Sequence, residues 1–389
     1  MRLVICGSST RAAAESAARA GFSVTAVDAF ADLDQHPDVH AIPVQAVGAS
    51  PTASALARAA QAVDCDAAVY LSPFENHPHA VARLAAGRAL WGNTPDTLRR
   101  VRDPFVVADL LREHGFEVPR LSNVSNDSND PNVSWLVKPF RSGGGTRIRP
   151  WRGDRIPRTS YLQERIDGTP GSLVFLAAAG ECVPVGFSRQ LVGDSAFGAS
   201  GFRYCGNILA SLGDSQFANA RVLFDAAVRL ARVVTAGFRL VGLNGVDFMA
   251  RGRVPLLLEV NPRWSSSVEV AERAFQTSFF QAHAEARDAG TLSPFDLTAG
   301  LEHTAAFGKA IVYAREDGFV TDCSTWLDDP DVRDVPRSGQ RFRAGQPVCS
   351  VFATAPDSAS CYRALAGRAE RIYRDLEHGV PVRHVTVAG

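Results

Sequence analysis

Residues 241–264 read VGLNGVDFMARGRVPLLLEVNPRW, and this stretch decides the fold that the sequence predicts. Two apolar, strand-like runs flank Arg251-Gly252-Arg253, a spacing that suits a hairpin with a three-residue loop in which Gly252 takes the left-handed conformation. In that register residue 250 pairs with 254, 247 with 257, and 245 with 259. The stretch therefore predicts an antiparallel β-hairpin with a defined pairing.

The predicted hairpin gathers polar side chains on one face. Because side chains alternate along a strand, Asp247, Leu257, Glu259 and Asn261 share a face in this register. A two-residue turn would shift the register and separate Asp247 from the other polar groups. The shared face is therefore a definite structural expectation.

The polar face of the hairpin has the chemistry of a metal site. Glu259 lies in an apolar run, where a carboxylate without a partner is costly. Asp, Glu and Asn supply the hard oxygen ligands that Mg²⁺ prefers when it is shared with nucleotide phosphates, with Mn²⁺ as the alternative ion. Arg263 is suitably placed to bind a transferring phosphoryl group. The competing interpretation is a structural ion pair of Glu259 with Arg263 or Arg251.

A second stretch, WLVKPFRSGGGTRIRPW at residues 135–151, carries a lysine before three glycines. Lys138 is one of two lysines in the chain, in which Lys and Arg together number 41. Gly143, Gly144 and Gly145 predict a loop whose backbone N–H groups can surround phosphate oxygens, and the alternative is a tight turn. A P-loop is excluded, because there the lysine follows the glycines. A compact ammonium suits contact with phosphate oxygens, whereas a coding bias toward Arg explains the other basic residues.

Composition limits the class of protein. The 389 residues exceed one compact core and suggest two or three domains. A net charge of zero gives no basic face for nucleic acid. Seven scattered cysteines without a CxxC pair fit reduced thiols in a cytoplasm. Neither a signal peptide nor an apolar run of about 20 residues is evident, so we expect a soluble cytoplasmic protein without a membrane partner.

The order of secondary structure predicts an α/β fold. Alternating strands and helices at the N-terminus indicate a Rossmann-like parallel sheet, with Thr10 as a helix cap. Gly7 lacks the other glycines of a dinucleotide motif, so Asp28 is the only support for an NAD(P) oxidoreductase. Residues 121–134 predict an exposed loop. We expect domains at residues 1–100, 101–300 (with a lid at about 101–163) and 301–389, the last a separable α+β unit.

With these motifs in place, the chain resembles the ATP-grasp superfamily of carboxylate–amine ligases over roughly residues 65–290. The order of Lys138, the glycine loop, YLQERIDG and the LLLEVNPR hairpin carries the resemblance. It implies an ATP-grasp fold with a mobile lid that carries the lysine and the glycine loop. It further implies adenine binding by Glu164, Arg165 and Ile166 on a hinge strand, Mg²⁺ ligation by Asp247, Glu259 and Asn261, and a catalytic role for Lys138 and Arg263.

A narrower resemblance rests on four segments. These are FENHPHAV (74–81), WGNTPDTL (91–98), FRYCGNIL (202–209) and FRAGQPVCSVFA (342–353). They are similar to a bacterial branch described as ATP-dependent carboligases related to biotin carboxylase. That branch implies a role in one-carbon cofactor biosynthesis, with tyramine–glutamate ligation in methanofuran synthesis as the nearest activity.

One departure from the family pattern affects the expected activity. The superfamily usually has a phosphate-binding Lys after an Asp, and here Pro104 follows Asp103. Arg102 is the substitute if it reaches the α-phosphate, and otherwise this contact is missing.

The resemblance implies ATP-dependent amide formation from a small carboxylic acid and an amine. The alternatives are carboxylation through carboxyphosphate and nucleotide binding without catalysis, and a homodimer is left open. Weaker candidates for the acceptor site are Arg189, Gln190 and Tyr204, and the turn at residues 75–77. Lys309 has no expected role beyond a salt bridge.

Overall fold

The computed structural model describes residues 1–44, 51–124, 133–302 and 304–378. Its N-terminal part alternates strands and helices, as the sequence predicts. These elements are β1 (Arg2–Cys6), α1 (Arg11–Arg19), β2 (Ser23–Asp28), β3 (Val39–Pro43), α2 (Ala53–Gln61), β4 (Ala67–Tyr70), α3 (Pro78–Leu84) and β5 (Ala89–Leu90). The five strands form a parallel sheet in the order β3-β2-β1-β4-β5. A 3₁₀ turn, Phe74–Asn76, follows β4.

The start of α1 differs from the expected helix cap. The Thr10 side chain does not cap the helix; its hydroxyl donates to Asp28 Oδ2 at 2.8 Å. Asp28 also accepts from the backbone N–H groups of Phe30 and Ala31. Its oxygens therefore hold the turn after β2, which removes the only residue that supported a dinucleotide site.

Two helices and a small antiparallel sheet follow. They are α4 (Pro95–Val101), α5 (Pro104–Glu113), β6 (Leu121–Ser122), β7 (Trp135–Pro139), β8 (Arg149–Pro150) and β9 (Ser160–Glu164), with the sheet order β6-β9-β7-β8. Asp103 caps α5 by accepting from Phe105 N at 2.9 Å, and Pro104 occupies the first turn. The loop expected at residues 121–134 begins with β6 instead, and its residues 125–132 lie outside the described part.

The remaining elements build the largest sheet and the helices that cover it. They are β10 (Thr169–Ala178), β11 (Glu181–Val192), β12 (Tyr204–Leu209), α6 (Ala220–Phe238), β13 (Gly242–Arg251), β14 (Val254–Asn261), α7 (Ser266–Phe275), α8 (Phe280–Asp288), α9 (Leu297–Glu302), β15 (Ala306–Tyr313), β16 (Gly318–Phe319), α10 (Ser324–Asp328), β17 (Val332–Arg333), β18 (Arg341–Phe342), β19 (Pro347–Ala355) and α11 (Ser358–His378). Helix α6 packs one face against this sheet region, and its Leu223, Ala227 and Leu230 are buried.

Three C-terminal strands extend the largest sheet, whereas the short β16 and β18 form a two-stranded sheet of their own. Eight strands form one continuous sheet in the order β14-β13-β10-β11-β12-β15-β19-β17. Strand β15 pairs with β12, so that Ala310 lies opposite Gly206. The large sheet therefore continues into the last ninety residues, because the edge of β12 is satisfied by pairing with β15. Among the described residues, no helix combines the length and apolar character that a membrane crossing requires.

Candidate functional site

A large cleft of about 2360 Å³ lies between the three groups of elements. The four-stranded sheet of β6–β9 lines one side, and the β13–β14 hairpin faces it. The ends of β1, β2 and β4 and the segment from β15 to β19 line the remainder. All eleven residues that the sequence predicts for nucleotide, metal and phosphoryl binding line this cleft, and they are Lys138, Gly143, Gly144, Gly145, Glu164, Arg165, Ile166, Asp247, Glu259, Asn261 and Arg263.

The hairpin reaches the expected face by a different register. Arg251 pairs with Val254, so the turn has two residues, and not three. A β-bulge at Leu258 then shifts the register by one further residue, so that Asp247 lies opposite Glu259 and Gly245 opposite Asn261. Leu257 pairs with Phe248 and leaves the polar face. The predicted register was wrong, but the predicted grouping of Asp247, Glu259 and Asn261 is present, because the shorter turn and the bulge together shift the pairing by two residues and side chains alternate with a period of two.

Asp247 lies in a polar cradle at the centre of the site. Its carboxylate accepts from Gln190 Nε2 at 2.9 Å and from Asn261 Nδ2 at 2.8 Å. Burial and the neighbouring carboxylate of Glu259 raise the pKa of Asp247 to about 6. A buried carboxylate raised in this way is stabilised by a cation that approaches it.

Glu259 already has a cationic partner. Arg102 Nη1 lies 2.5 Å from Glu259 Oε1, and it also donates to the Val260 carbonyl oxygen at 2.8 Å. The ion pair expected with Arg263 or Arg251 is therefore formed with Arg102, while Arg251 pairs with Glu117 on the surface. The Glu259 side chain remains 26% exposed to the cleft, so one carboxylate edge stays open to a further ligand.

The donor set fits a divalent ion shared with phosphates. Two carboxylates and the Asn261 amide supply hard oxygens on one face, which is the ligand type that Mg²⁺ selects. Among the described residues, no group of three or more His, Cys, Asp or Glu side chains could hold a metal by itself. Phosphate oxygens would therefore complete the ligand shell, as is usual for Mg²⁺.

Lys138 extends from β7 toward the hairpin. Its Nζ donates to the Leu258 carbonyl oxygen, in the bulge, at 3.2 Å, and the residue is 7% exposed. Burial lowers the pKa of Lys138, although the carboxylates of Glu259 and Asp247 oppose the shift. The ammonium thus lies over the acidic face of the hairpin.

The glycine loop follows Lys138 and closes over the cleft. Gly144 accepts from Tyr204 N at 3.0 Å. Gly145 has a φ of +74°, and a Cβ there would overlap the Phe202 carbonyl oxygen. Ser142, just before the glycines, accepts from both Asn76 and Arg102 at 3.1 Å. The loop is therefore held against residues from three other elements.

The turn Phe74–Asn76 holds both arginines of the site. Glu75, 1% exposed, pairs with Arg263 Nη2 at 2.8 Å, and Asn76 Oδ1 accepts from Arg102 Nη2 at 3.0 Å. Burial by itself would raise the pKa of Glu75, but the guanidiniums of Arg263 and Arg102 outweigh it and hold the pKa below its usual value. The turn was only a weak candidate in the sequence, where a polar turn after a strand is common, and the structure gives its side chains definite partners.

The expected hinge residues lie at and just beyond a strand end. The family resemblance implied that all three residues lie on a strand. Strand β9 ends at Glu164, however, so Arg165 and Ile166 follow the strand. Glu164 Oε2 accepts from Arg120 N at 3.0 Å, and Arg165 N donates to the Ser134 carbonyl oxygen at 2.7 Å. All three still line the cleft.

Sequence reasoning missed the apolar lining beside the hinge residues. Leu136, Ile148, Pro170, Met249 and Leu258 line the cleft there, and they form a surface suited to a planar base. A signal existed for Met249, which is two residues from Asp247 and therefore on the same strand face. The bulge residue Leu258 had no signal.

Two of the weaker candidates for the acceptor site line the cleft, and a third does not. Gln190 lines the cleft and bonds to Asp247, and Tyr204 also lines it and donates to Asn207 Oδ1 at 2.9 Å. Arg189 is not among the lining residues. Lys309 forms the expected salt bridge, with Glu269 Oε2 at 2.6 Å.

Comparison with known proteins agrees with this geometry. Residues 101–267 match the model of a family described as an ATP-grasp domain. An uncharacterised protein of Methanocaldococcus jannaschii is 19% identical over 379 residues, which cover 91% of this chain and 88% of that protein.

Two solved structures share the fold over almost the whole chain. An L-amino acid ligase from Bacillus licheniformis is 16% identical with a TM-score of 0.64, and the match covers 97% of each chain. Pyruvate carboxylase from Rhizobium etli is 14% identical with a TM-score of 0.72 and matches 98% of this chain. The chain spans only 39% of that carboxylase.

The family match covers the β6–β9 sheet, the glycine loop and the acidic hairpin, and the solved structures share the fold over the N-terminal sheet and the C-terminal strands as well. Residues 101–267 therefore match an ATP-grasp domain.

Proposed function

We propose that this protein is an ADP-forming ligase that joins a small carboxylic acid to an amine. The observation that carries the proposal is the contact between Lys138 and the acidic face of the hairpin. Lys138 Nζ donates to the carbonyl oxygen of the bulge residue Leu258. Next to this bulge, Asp247 and Glu259 lie opposite each other on the two strands. An ammonium group on one side of the cleft and two carboxylates on the other are the arrangement that binds a triphosphate together with a divalent ion.

The proposed reaction has two displacements. An oxygen of the substrate carboxylate attacks the γ-phosphorus of ATP, the bond to the β–γ bridging oxygen breaks, and ADP leaves. The amine nitrogen then attacks the acyl carbon of the acyl phosphate, inorganic phosphate leaves, and the nitrogen loses a proton. When bound, Mg²⁺ neutralises charge on the β- and γ-phosphates.

Each residue of the site has a proposed task. Lys138 and the N–H groups of Gly143–Gly145 bind phosphate oxygens, and the backbone of Glu164–Ile166 contacts adenine. Asp247, Glu259 and Asn261 hold Mg²⁺, for which Mn²⁺ can substitute. Arg263 stabilises the transferring phosphoryl group. Arg102, held by Glu259 and Asn76, supplies positive charge where the family's usual lysine is replaced by Pro104.

Finer parts of the proposal rest on the sequence resemblance. They are a role in one-carbon cofactor biosynthesis of the methanofuran or tetrahydromethanopterin type, a cytoplasmic location and a homodimer. The absence of disulfides among all seven cysteines is compatible with that location. The division into domains near residues 100 and 300, with a mobile lid, belongs to the same proposal.

The test is ADP release with pairs of acids and amines, with glutamate and tyramine as the first pair. Hydroxylamine in place of the amine should trap the acyl phosphate as a hydroxamate. Lys138→Ala and Glu259→Gln should each abolish ADP formation with the fold intact, as judged by circular dichroism. Unchanged turnover in either variant would contradict the assignment.

Two alternatives have a specific observation in their favour. Carboxylation through carboxyphosphate is favoured by the likeness to pyruvate carboxylase, and it requires ATPase activity that depends on bicarbonate. Nucleotide binding without catalysis is favoured by Pro104, and it requires that Mg·ATP bind in calorimetry while no acid–amine pair releases phosphate.

A further inference from the structure

One carboxylate in the cleft has no hydrogen-bond partner in the part of the chain that the structure describes. Asp32 follows strand β2, lines the cleft beside Ala29 and Phe30, and is 6% exposed. Within residues 1–44, 51–124, 133–302 and 304–378, no group donates a hydrogen bond to its carboxylate; Arg337, also in the cleft lining, donates to the Ala31 carbonyl oxygen at 3.3 Å. A buried carboxylate in this condition is costly unless something else satisfies it.

The cations near Asp32 are occupied by other carboxylates. Arg11 Nε lies 2.8 Å from Asp334 and its Nη2 lies 2.5 Å from Glu269. Lys309 Nζ lies 2.6 Å from Glu269 and 3.6 Å from Asp334. Arg11 also pairs with Glu15 and Asp34. Each cation therefore already has at least two carboxylate partners, and Asp32 adds a further negative charge.

The surroundings of Asp32 disfavour its ionised form. Burial raises the pKa of Asp32 well above its ordinary value, and the carboxylates of Asp334, Asp28 and Asp34 raise it further against the opposing charge of Arg11. A cation that entered the cleft at this point would remove this penalty, because opposite charge favours the ionised form.

The register of the large sheet sets the distance from the reacting groups. Gln190, which bonds to Asp247, lies opposite Asn207, and Asn207 lies opposite Lys309. Two spacings of about 4.8 Å each place the Lys309 strand position roughly 10 Å from that of Gln190. Lys309, whose ammonium contacts Glu269 and Asp334, therefore lies two strands away from the residue that bonds to Asp247.

We propose that Asp32 binds an ammonium group of a substrate, at the end of the molecule remote from the reacting carboxyl or amine. This inference deepens the proposed function and rests on it, because it names the charge of one substrate of that ligase. An organic cation fits better than a metal ion, since the neighbouring carboxylates are engaged with Arg11 and Lys309 and a divalent ion needs several oxygen ligands. The substrate class is an extended molecule with two functional ends, such as a diamine or a basic amino acid.

The test measures binding without ATP, so that it is independent of ligase activity. The full chain and its Asp32→Asn variant are titrated calorimetrically at pH 8 with 1,4-diaminobutane, with L-lysine and with adipate. We expect at least one cationic probe to bind the unmodified protein, and Asp32→Asn to weaken its affinity at least tenfold. Adipate, which has the wrong charge, should show no such dependence.

A matched variant controls for the general charge of the cleft. Asp317 also lines the cleft but is exposed and accepts from Ala344 N at 2.8 Å, so Asp317→Asn should leave probe affinity within twofold. The midpoint temperature of thermal unfolding should be no lower for Asp32→Asn than for the unmodified protein, because the variant removes a buried negative charge that lies near other carboxylates. Equal weakening in both variants, or no binding of either cationic probe in the millimolar range, would overturn the inference. If ADP release fails for every acid–amine pair while the Asp32-dependent binding remains, the reaction assignment fails and the cation site stands.

Discussion

Two arginines and three carboxylates share a small volume at the phosphoryl end of the cleft. Arg263 is paired with Glu75 and Arg102 with Glu259. Asp247 accepts hydrogen bonds from the amides of Gln190 and Asn261 and from the Ser172 side chain. The ion pair with Glu75 orients the Arg263 guanidinium before any substrate binds. A charge that is oriented in advance lowers the barrier of the chemical step, because it need not reorganise during the reaction.

We expect Glu75→Gln to lower kcat for ADP formation ten- to a hundredfold while KM for ATP changes less than threefold. Gln keeps the size of the side chain but removes the charge that positions Arg263, which acts on the transferring group and not on the bound nucleotide. Steady-state kinetics measure both constants. Glu117→Gln, which removes the exposed partner of Arg251, is the control and should change neither. A rise in KM with kcat unchanged would contradict a positioning role.

The raised pKa of Asp247 gives a pH-dependent stability. Since the folded pKa is about 6 and the ordinary value is 3.8, the folded protein favours the protonated carboxyl. The corresponding stability is fully present below about pH 4 and is lost as the pH rises through 6. A shift of about two units corresponds to roughly 2–3 kcal/mol.

We therefore expect Asp247→Asn to gain roughly 2 kcal/mol in the free energy of unfolding, relative to the unmodified protein, between pH 4 and pH 8 in the absence of metal. Comparing the two pH values cancels the pH-independent change in hydrogen bonding with Gln190 and Asn261. Urea unfolding at each pH measures the difference, and added Mg²⁺ should stabilise only the unmodified protein. A difference that does not vary with pH would show that the charge is not the cause.

At the scale of elements, the hairpin and the glycine loop both line the cleft at the proposed nucleotide site. The bulge at Leu258 matters to both, because it aligns Glu259 with Asp247 and presents the carbonyl oxygen that accepts from Lys138. Gly145 matters to the loop, because its positive φ and its close approach to Phe202 exclude any Cβ.

We expect Gly145→Ala to raise KM for ATP more than tenfold, since the loop must move away from Phe202 and can no longer reach the phosphates. Gly143→Ala is the matched control, because a Cβ there would meet only Ser72 Oγ at 3.8 Å and Glu75 Oε1 at 4.0 Å. Its KM should change less than threefold. Equal effects at both glycines would indicate that general loop stiffness, and not this contact, is responsible.

At the scale of the whole molecule, a buried ionic cluster joins the N-terminal sheet to the rest. Arg11 of α1 is fully buried and contacts Glu269 of α7 and Asp334, which follows β17. Burial opposes the charge of Arg11, but the surrounding carboxylates outweigh it and raise its pKa. Removing one partner from such a cluster leaves charges buried without compensation.

We expect Arg11→Met to lower the free energy of unfolding by about 3–5 kcal/mol. Arg2→Met is the control: it removes ion pairs with Asp64 and Asp66 that are largely exposed, and it should cost far less than Arg11→Met, because exposed ion pairs contribute little to stability. Urea unfolding monitored by circular dichroism measures both. Similar losses in the two variants would mean that the buried cluster does not join the parts of the molecule.

The sequence by itself determined the order of the working parts: a strand lysine, a glycine loop, and a hairpin with Asp247, Glu259 and Asn261. These are local features, since strand alternation, glycine content and residue spacing act over a few neighbours. The α/β fold was predicted from the alternation of strands and helices at the N-terminus, and the sheets confirm it. The order of the motifs carried the resemblance to ATP-grasp proteins, and the family match bears it out over residues 101–267.

The tertiary structure alone decided the contacts between distant parts of the chain. Strand alternation could not reveal the bulge at Leu258, because the shorter turn and the bulge together shift the pairing by two residues and leave the same side chains on the polar face. The pairing of β12 with β15 and the ion pair of Glu75 with Arg263 each join residues far apart in sequence. Such contacts depend on how whole elements pack, and local sequence carries no record of which strand edge or which cation another segment will meet.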